Sequence, residues 1–305
     1  MPTYLQAFIE YMEENKLSKA IQRTYAYYAN DYVRYLEKHK QNLQKMKYKD
    51  LLQYISKLQE QGKSKTTVNT HLRAIGYYYR YQKLTDITYD VRLRGVKKEK
   101  QLLFTEEELQ HIYDNWQNKT PNPRSKGNTI LYAYSNQLLL GLIIFQAATK
   151  QDLYKLYLSD IDLTKGTIYL SGGNSIKTGR KVVLQSVQII PLYEYIQAYR
   201  GKSERKDYQR EADKGKLFYP NANKEDRLRS QLNSLLHQLQ KIYPSYNIKS
   251  LQQLQLSRVS IWVDQYGLRK AQHMGGYKSV TSVEKYKDHK AEELKELIFK
   301  HHPLS

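Results

Sequence analysis

The stretch SIWVDQYGLRKAQHMGGYKSVTSVEKY, residues 260–286, decides how the rest of the chain is read. Its first part continues a helical apolar pattern, and the pair Gly275-Gly276 supplies the stop signal. Tyr286 then follows ten residues after Gly276, set among lysines. The chain has 30 tyrosines, so a tyrosine as such says little; the register with the glycine turn singles Tyr286 out.

Upstream of that stretch the pattern is mixed. Gly166–Leu170 (GTIYL) and Val182–Gln185 (VVLQ) read as short strands, joined through SGGNSIKTGRK as a hairpin-like loop rich in glycine and lysine. Helices are expected near 130–149, 151–158, 187–199, 226–241 and 248–265, with a tail helix near 290–301. Thr105-Glu106-Glu107-Glu108 has capping-box spacing and opens a helix through Trp116. Before residue 90 the chain reads as helical only, with amphipathic segments near 3–15, 18–38, 48–61 and 66–83. Ser18 is placed to cap the second, and Gly62 separates the last two. The expected organisation is a helical domain over 1–90, a basic linker over 91–104 and a mixed domain over 105–305.

Charge bounds the partner. The 305 residues hold 50 Lys+Arg against 30 Asp+Glu, a net charge of +20, and residues 1–100 carry 20 basic and 10 acidic side chains. Half of the excess thus lies in each part, as expected if both face one polyanion, with nucleic acid favoured over a membrane surface. The runs YAYYANDYVRY (25–35) and YYYRYQ (77–82) interleave core-spaced tyrosines with Arg34 and Arg80, and the linker adds Arg92, Arg94, Lys97 and Lys98. The linker's charge serves equally well as a solvated run or as a strand along phosphates.

Exclusions narrow the chemistry further. With no cysteine there is no disulfide, thiolate zinc site or cysteine nucleophile. The eight histidines show no paired ligand spacing beyond the adjacent His301-His302, so neither a metal nor another cofactor is expected. The longest apolar run, LLLGLIIF at 138–145, falls far short of the roughly 20 residues needed to span a bilayer, and the N-terminus lacks a signal-peptide pattern.

This order of features resembles the tyrosine recombinases, the lambda-type integrases of phages and mobile elements. Residues 260–286 are similar to the AGHKSxxSTExY region that ends on the nucleophile. The resemblance implies a mainly α protein: an all-α, SAM-like core-binding bundle, then an α+β catalytic-type domain with a small three-stranded sheet. It implies metal-free strand cleavage, in which a tyrosine attacks the phosphate, arginines and histidines bind its oxygens, and a hairpin lysine protonates the leaving 5′-hydroxyl. By position Tyr286 falls on the nucleophile and Lys177 on the general acid, with Lys181 the competing assignment.

Four family positions depart. Thr149 in AATKQDL stands where an arginine is expected, Gln252 and Gln255 replace the His-x-x-Arg pair, and Tyr277 replaces a histidine or tryptophan. Lys150, Arg258 and His273 lie near enough in sequence to substitute for the missing cations. Two outcomes follow: a DNA-binding or accessory recombination subunit with a degenerate pocket, or an active recombinase with a rebuilt one. A third, a transcriptional or architectural regulator, needs no recombinase partner. The resemblance also implies assembly on DNA as a homo-oligomer or with an active recombinase, and a cytoplasmic, nucleoid-associated setting. The tail KAEELKELIFKHHPLS resembles a helix that packs onto a neighbouring subunit; docking on its own domain fits the pattern equally.

Overall fold

The computed structural model describes residues 3–94, 102–117, 128–172, 176–200, 215–218, 226–284 and 286. The chain divides into two units, Met1–Lys100 and Gln101–Ser305.

The first unit is built from four helices, α1 (Thr3–Glu14), α2 (Lys19–Lys38), α3 (Tyr48–Glu60) and α4 (Lys65–Tyr81). Ser18 caps α2 by accepting from the Ile21 amide, and Ser64 caps α4 in the same way through the Thr67 amide. The turn between α3 and α4 runs through Gly62, whose φ of 73° suits a residue without a Cβ. Tyr32, Leu36, Leu51, Ile55, Leu72 and Ile75 form one core cluster, while Phe8 and Met12 of α1 pack in a second with Ala29 and Tyr78.

Helical period splits the tyrosine runs. Tyr32, Tyr35, Tyr78 and Tyr79 turn inward, and Tyr27 is exposed. The buried hydroxyls find partners: Tyr32 and Tyr79 lie 3.2 Å apart, and Tyr54 lies 3.2 Å from His71 Nδ1. Burial lowers the His71 imidazole to about 4, so it is neutral at physiological pH.

The second unit begins with α5 (Glu106–Gln117), where Thr105 and Glu108 form the expected capping box: the Glu108 amide donates to Thr105 Oγ1 and the Thr105 amide to Glu108 Oε2. Next comes α6 (Asn128–Gln146), whose 138–145 segment is buried throughout. This helix ends at Gln146, three residues earlier than the pattern predicts. Ala147 takes a left-handed φ of 48°, and the Ala148 amide wraps back onto the Leu142 carbonyl. Thr149 then starts a separate short helix, α7 (Lys150–Lys155).

The sheet has three antiparallel strands in the order β1 (Ile161–Asp162), β2 (Thr167–Leu170) and β3 (Arg180–Val183). Leu170 pairs with Arg180 and Tyr169 with Lys181. β3 begins two residues before the predicted strand, because a buried arginine takes an inward position where apolar alternation would place a valine. After α8 (Ser186–Glu194) come α9 (Asp226–Ile242) and α10 (Leu251–Gly275). α10 outlasts its predicted end at 265 but is interrupted at Gly267, whose φ of 78° and ψ of 168° split it into two helical pieces. A last turn, α11 (Thr281–Glu284), precedes Tyr286. Leu109, Leu139, Ile143, Leu235 and Leu254 anchor the core that α5, α6, α9 and α10 share.

The architecture is mainly α with one small three-stranded antiparallel sheet, as expected. Among the described residues, no helix is long and apolar enough to cross a membrane. The tail helix near 290–301, Lys97, Lys98 and the pair His301-His302 lie outside the described residues.

Candidate functional site

Two turns far apart in sequence are stapled together. The Thr178 amide donates to the Gly276 carbonyl at 2.7 Å and the Lys278 amide to the Ile176 carbonyl at 2.9 Å, so Lys177 and Tyr277 bridge as in a short antiparallel pair. The double glycine permits this approach. A Cβ on Gly276, which closes α10 at a φ of 67°, would lie 2.8 Å from the Thr178 carbonyl oxygen and 2.8 Å from Arg180 Cδ. The docked hairpin sets Lys177 Nζ 4.4 Å from the centre of the Tyr277 ring.

Around this staple the side chains converge. Lys177, Tyr286, Tyr277 and Gln255 are all buried, and Gln255 Nε2 lies 3.5 Å from the Tyr277 hydroxyl. Tyr286 packs in an apolar cluster with Ala147, Val259, Trp262 and Val283. That burial, with the charge and hydrogen bonding of Tyr277, pushes its hydroxyl far above the ordinary phenol range. Burial and then the positive charge of Arg180 bring the Lys177 amine down to about 7, against the pull of Asp152. An amine poised there can exchange a proton near neutral pH, which is what general acid chemistry requires.

Thr149 carries no charge to this pocket and is a helix cap instead. Its hydroxyl and amide both donate to Asp152 Oδ2 at 2.8 Å, and the Asp152 amide returns a bond to Thr149 Oγ1. Thr149, Lys150, Gln252 and Gln255 line one cavity of about 360 Å³, together with Asn233 and Ser250. The residues at three of the departing positions therefore face one space.

The proposed substitutes fare differently. Lys150 is exposed and lines the cavity. Arg258 is held by two contacts: Nε donates to the Ile144 carbonyl at 2.7 Å and Nη1 pairs with Glu106 at 2.7 Å. His273 is exposed in the last turn of α10. Lys181 is exposed on β3, so of the two hairpin lysines it is Lys177 that the fold buries against Tyr277.

Sequence reasoning missed Arg180 and Asp152, which form a buried ion pair at 3.4 Å. Their signals were faint: Asp152 sits three residues after Thr149, the spacing of a capping box, and Arg180 sits three after Lys177 in a loop already dense with basic residues. Among the described residues, no group of acidic and histidine side chains could hold a metal ion.

The first unit carries its own basic surface. Arg34, Arg80, Arg92 and Arg94 are exposed. Arg80 stacks over the Tyr77 ring at 4.1 Å and lies 3.9 Å from Asp86. Tyr25, Arg73, Tyr77, Arg80 and Arg92 line a groove of about 270 Å³.

The described residues thus give a helical unit, then a mainly helical unit in which a sheet hairpin sets a buried lysine against the Tyr277 ring. Residues 4–88 match the family model of the phage integrase N-terminal SAM-like domain. Over 205 residues the chain is 24% identical to a Caldanaerobacter subterraneus subsp. tengcongensis protein named as a tyrosine recombinase, a match spanning 65% of this chain and 65% of that relative. Among solved structures, the Tn1549 transposon integrase in complex with a circular intermediate DNA is similar at a TM-score of 0.66 and 13% identity, covering 94% of this chain and 95% of that one. The XerH site-specific recombinase bound to a palindromic difH substrate is similar at 0.65 and 18% identity, over 90% of this chain and 78% of that one. At such identities the structural likenesses show the fold alone, while the sequence likenesses are to a phage integrase N-terminal domain over residues 4–88 and to a protein named as a tyrosine recombinase over 205 residues.

Proposed function

We propose that this chain is a DNA-binding recombination protein of the tyrosine-recombinase type whose strand-cleavage chemistry is impaired, acting as an accessory subunit of a mobile element beside an active recombinase. One observation carries this reading: Tyr286 and Lys177 are both buried at Tyr277, which Lys177 faces and Tyr286 packs with, yet threonine and glutamine occupy the positions 149, 252 and 255 from which phosphate-binding cations are expected. Removing one preorganised donor to a developing charge costs about 10²–10³ in rate, and glutamine cannot reproduce the charged, forked guanidinium. Burial of the Tyr286 hydroxyl works in the same direction, since the phenolate it must approach is disfavoured there. The net charge of +20 and the exposed arginines of the first unit support double-stranded DNA as the partner.

The second reading, an active recombinase, draws on Lys177. An amine near 7 set against Tyr277 suits a route in which the Tyr286 hydroxyl gives its proton to solvent as its oxygen attacks the phosphorus, the 3′-phosphotyrosyl bond forms as the P–O5′ bond breaks, and Lys177 passes its proton to the departing 5′-oxygen. A nicked suicide duplex carrying a site selected from random DNA separates the two. The first reading expects tight, salt-sensitive binding and no covalent adduct; an adduct that disappears in Tyr286→Phe overturns it.

A further inference from the structure

Arg180 is 4% exposed, and one nitrogen accounts for the hydrogen bonds it makes. Nη2 donates to the Gln146 carbonyl at 3.5 Å, the Ala147 carbonyl at 3.2 Å and Asp152 Oδ2 at 3.4 Å. Nε and Nη1 are buried with no hydrogen-bond partner among the described residues. A guanidinium with idle buried donors is costly and rare in folded proteins, and it calls for an explanation such as an ion or a role in the chemistry.

Its position explains which role. Asp152 Oδ2 is the same oxygen that the amide and hydroxyl of Thr149 bind, so Arg180 brings a positive charge to the Thr149 turn through that shared carboxylate. On its other flank a Cβ at Gly276 would lie 3.2 Å from Arg180 Nη1. The guanidinium thus lies against both the turn that lacks its arginine and the turn to which Lys177 is stapled. We propose that Arg180 is the fixed buried cation of this pocket, supplying from β3 the charge that position 149 lacks, and that it acts as a positioning residue for Lys177 and a phosphate beside it. The inference rests on the reading above that the pocket receives a DNA phosphate.

The charges around Lys177 support it. Arg180 disfavours the ammonium form, Asp152 favours it, and the Tyr277 ring covers the amine, with Tyr286 packed in the same cluster as Tyr277. At rest above pH 7 the amine is largely neutral. A phosphate set beside the two basic groups offsets the repulsion, and Lys177 then takes up the proton it must donate.

The test follows the Lys177 Cε resonance in ¹³C-lysine-labelled full-length protein, assigned by its loss in Lys177→Arg. The expected midpoint is about 7 in the unmodified chain. Arg180→Gln should raise it by about one pH unit or more, Arg180→Lys should leave it in place, and Asp152→Asn should lower it, a pair of opposite signs that a merely structural arginine would not produce. Saturating inorganic phosphate, or a bound duplex, should raise the midpoint of the unmodified chain. If Arg180→Gln melts like the unmodified chain and its midpoint does not move, the proposal is overturned. Should that variant fail to fold, the phosphate titration of the unmodified chain decides, and an unmoved midpoint overturns it. Duplex binding on the same samples separates two failures: binding without movement at Lys177 removes the role of Arg180 alone, whereas absence of binding removes the phosphate reading and this inference with it.

Discussion

Lys177 Nζ sits 4.4 Å from the centre of the Tyr277 ring while the backbones of the two residues bridge in antiparallel register. One contact thus ties the sheet hairpin to the turn that leads to Tyr286, and the relative position of lysine and tyrosine depends on that joint. The joint in turn depends on the absence of a side chain at Gly276.

Gly276→Ala should therefore damage both stability and site. The substitution forces a φ of 67° on a residue with a Cβ and brings that Cβ 2.8 Å from the Thr178 carbonyl oxygen, backbone that has little room to move. A loss of about 1–3 kcal/mol is expected from the strained conformation, read by denaturant unfolding. Hydrogen exchange at the Thr178 and Lys278 amides should accelerate; unchanged protection there would show that the staple does not need the glycine.

Lys177→Met should be more stable than the unmodified chain at pH 6, and the gap should close as pH rises. The folded amine has its value lowered from 10.5 to about 7, so the unfolded chain binds more protons between those values and stability climbs with pH across that window. Below about 7 both states are charged and the full burial cost is present. Each tenfold difference in proton affinity is worth about 1.4 kcal/mol, which makes a gap of several kcal/mol the upper bound. Melting curves of the two proteins at pH 6 and 9 check the sign; a gap that widens with pH would refute it.

Much of this was legible in the sequence where local rules govern. Ser18, Gly62 and the Thr105 box mark helix ends by chemistry that acts over three or four residues, and all three stand where expected. The end of α6 was not legible, because Ala147 adopts a left-handed turn with no glycine to announce it and the preceding run is apolar on every face. Arg180 was hidden for the opposite reason. Basic residues in a polar loop read as solvated, and only the pairing of Leu170 with Arg180 turns this one inward. Gln252 and Gln255 were found through a resemblance, but that Gln255 is buried against Tyr277 while Arg258 is spent on Glu106 is decided by tertiary packing.

Breaking the Arg180–Asp152 pair from the acidic side should be among the most destabilising single changes in the second unit. Asp152 is 1% exposed, accepts from the amides of Thr149 and Gly172, and faces a buried guanidinium at 3.4 Å. Asp152→Ala removes these acceptors together and strands a charge, at a cost of about 3–5 kcal/mol. Thr149→Ala loses only the cap, about 1 kcal/mol, and Thr149→Ser should be close to neutral. Equal losses for Asp152→Ala and Thr149→Ala would mean that the ion pair contributes nothing beyond the cap.

Arg80→Ala and Arg92→Ala, on the groove of the first unit, should weaken DNA binding alike on selected and unrelated duplexes. If each arginine meets one phosphate, the logarithmic salt slope should fall by about one per substitution. Fluorescence anisotropy over a range of salt concentrations measures this; a loss confined to the selected sequence would instead assign the residue to base reading.

The impaired-pocket reading stands or falls on rescue. Thr149→Arg, Gln252→His and Gln255→Arg together return the expected cations to the residues lining a single cavity of about 360 Å³, which has space for longer side chains. One recovered donor is worth about 10²–10³ in rate, and the three act on one phosphate, so their gains should overlap rather than multiply. An increase of about 10² or more in covalent adduct on a nicked duplex is expected, abolished by Tyr286→Phe. The lost Thr149 cap costs about 1 kcal/mol, so adducts are compared well below the melting temperature of the triple variant. If the unmodified chain already forms adduct and the three substitutions do not raise it, the missing cations were never limiting, and the pocket works by the charges it has: Lys177, Lys150 and the buried Arg180.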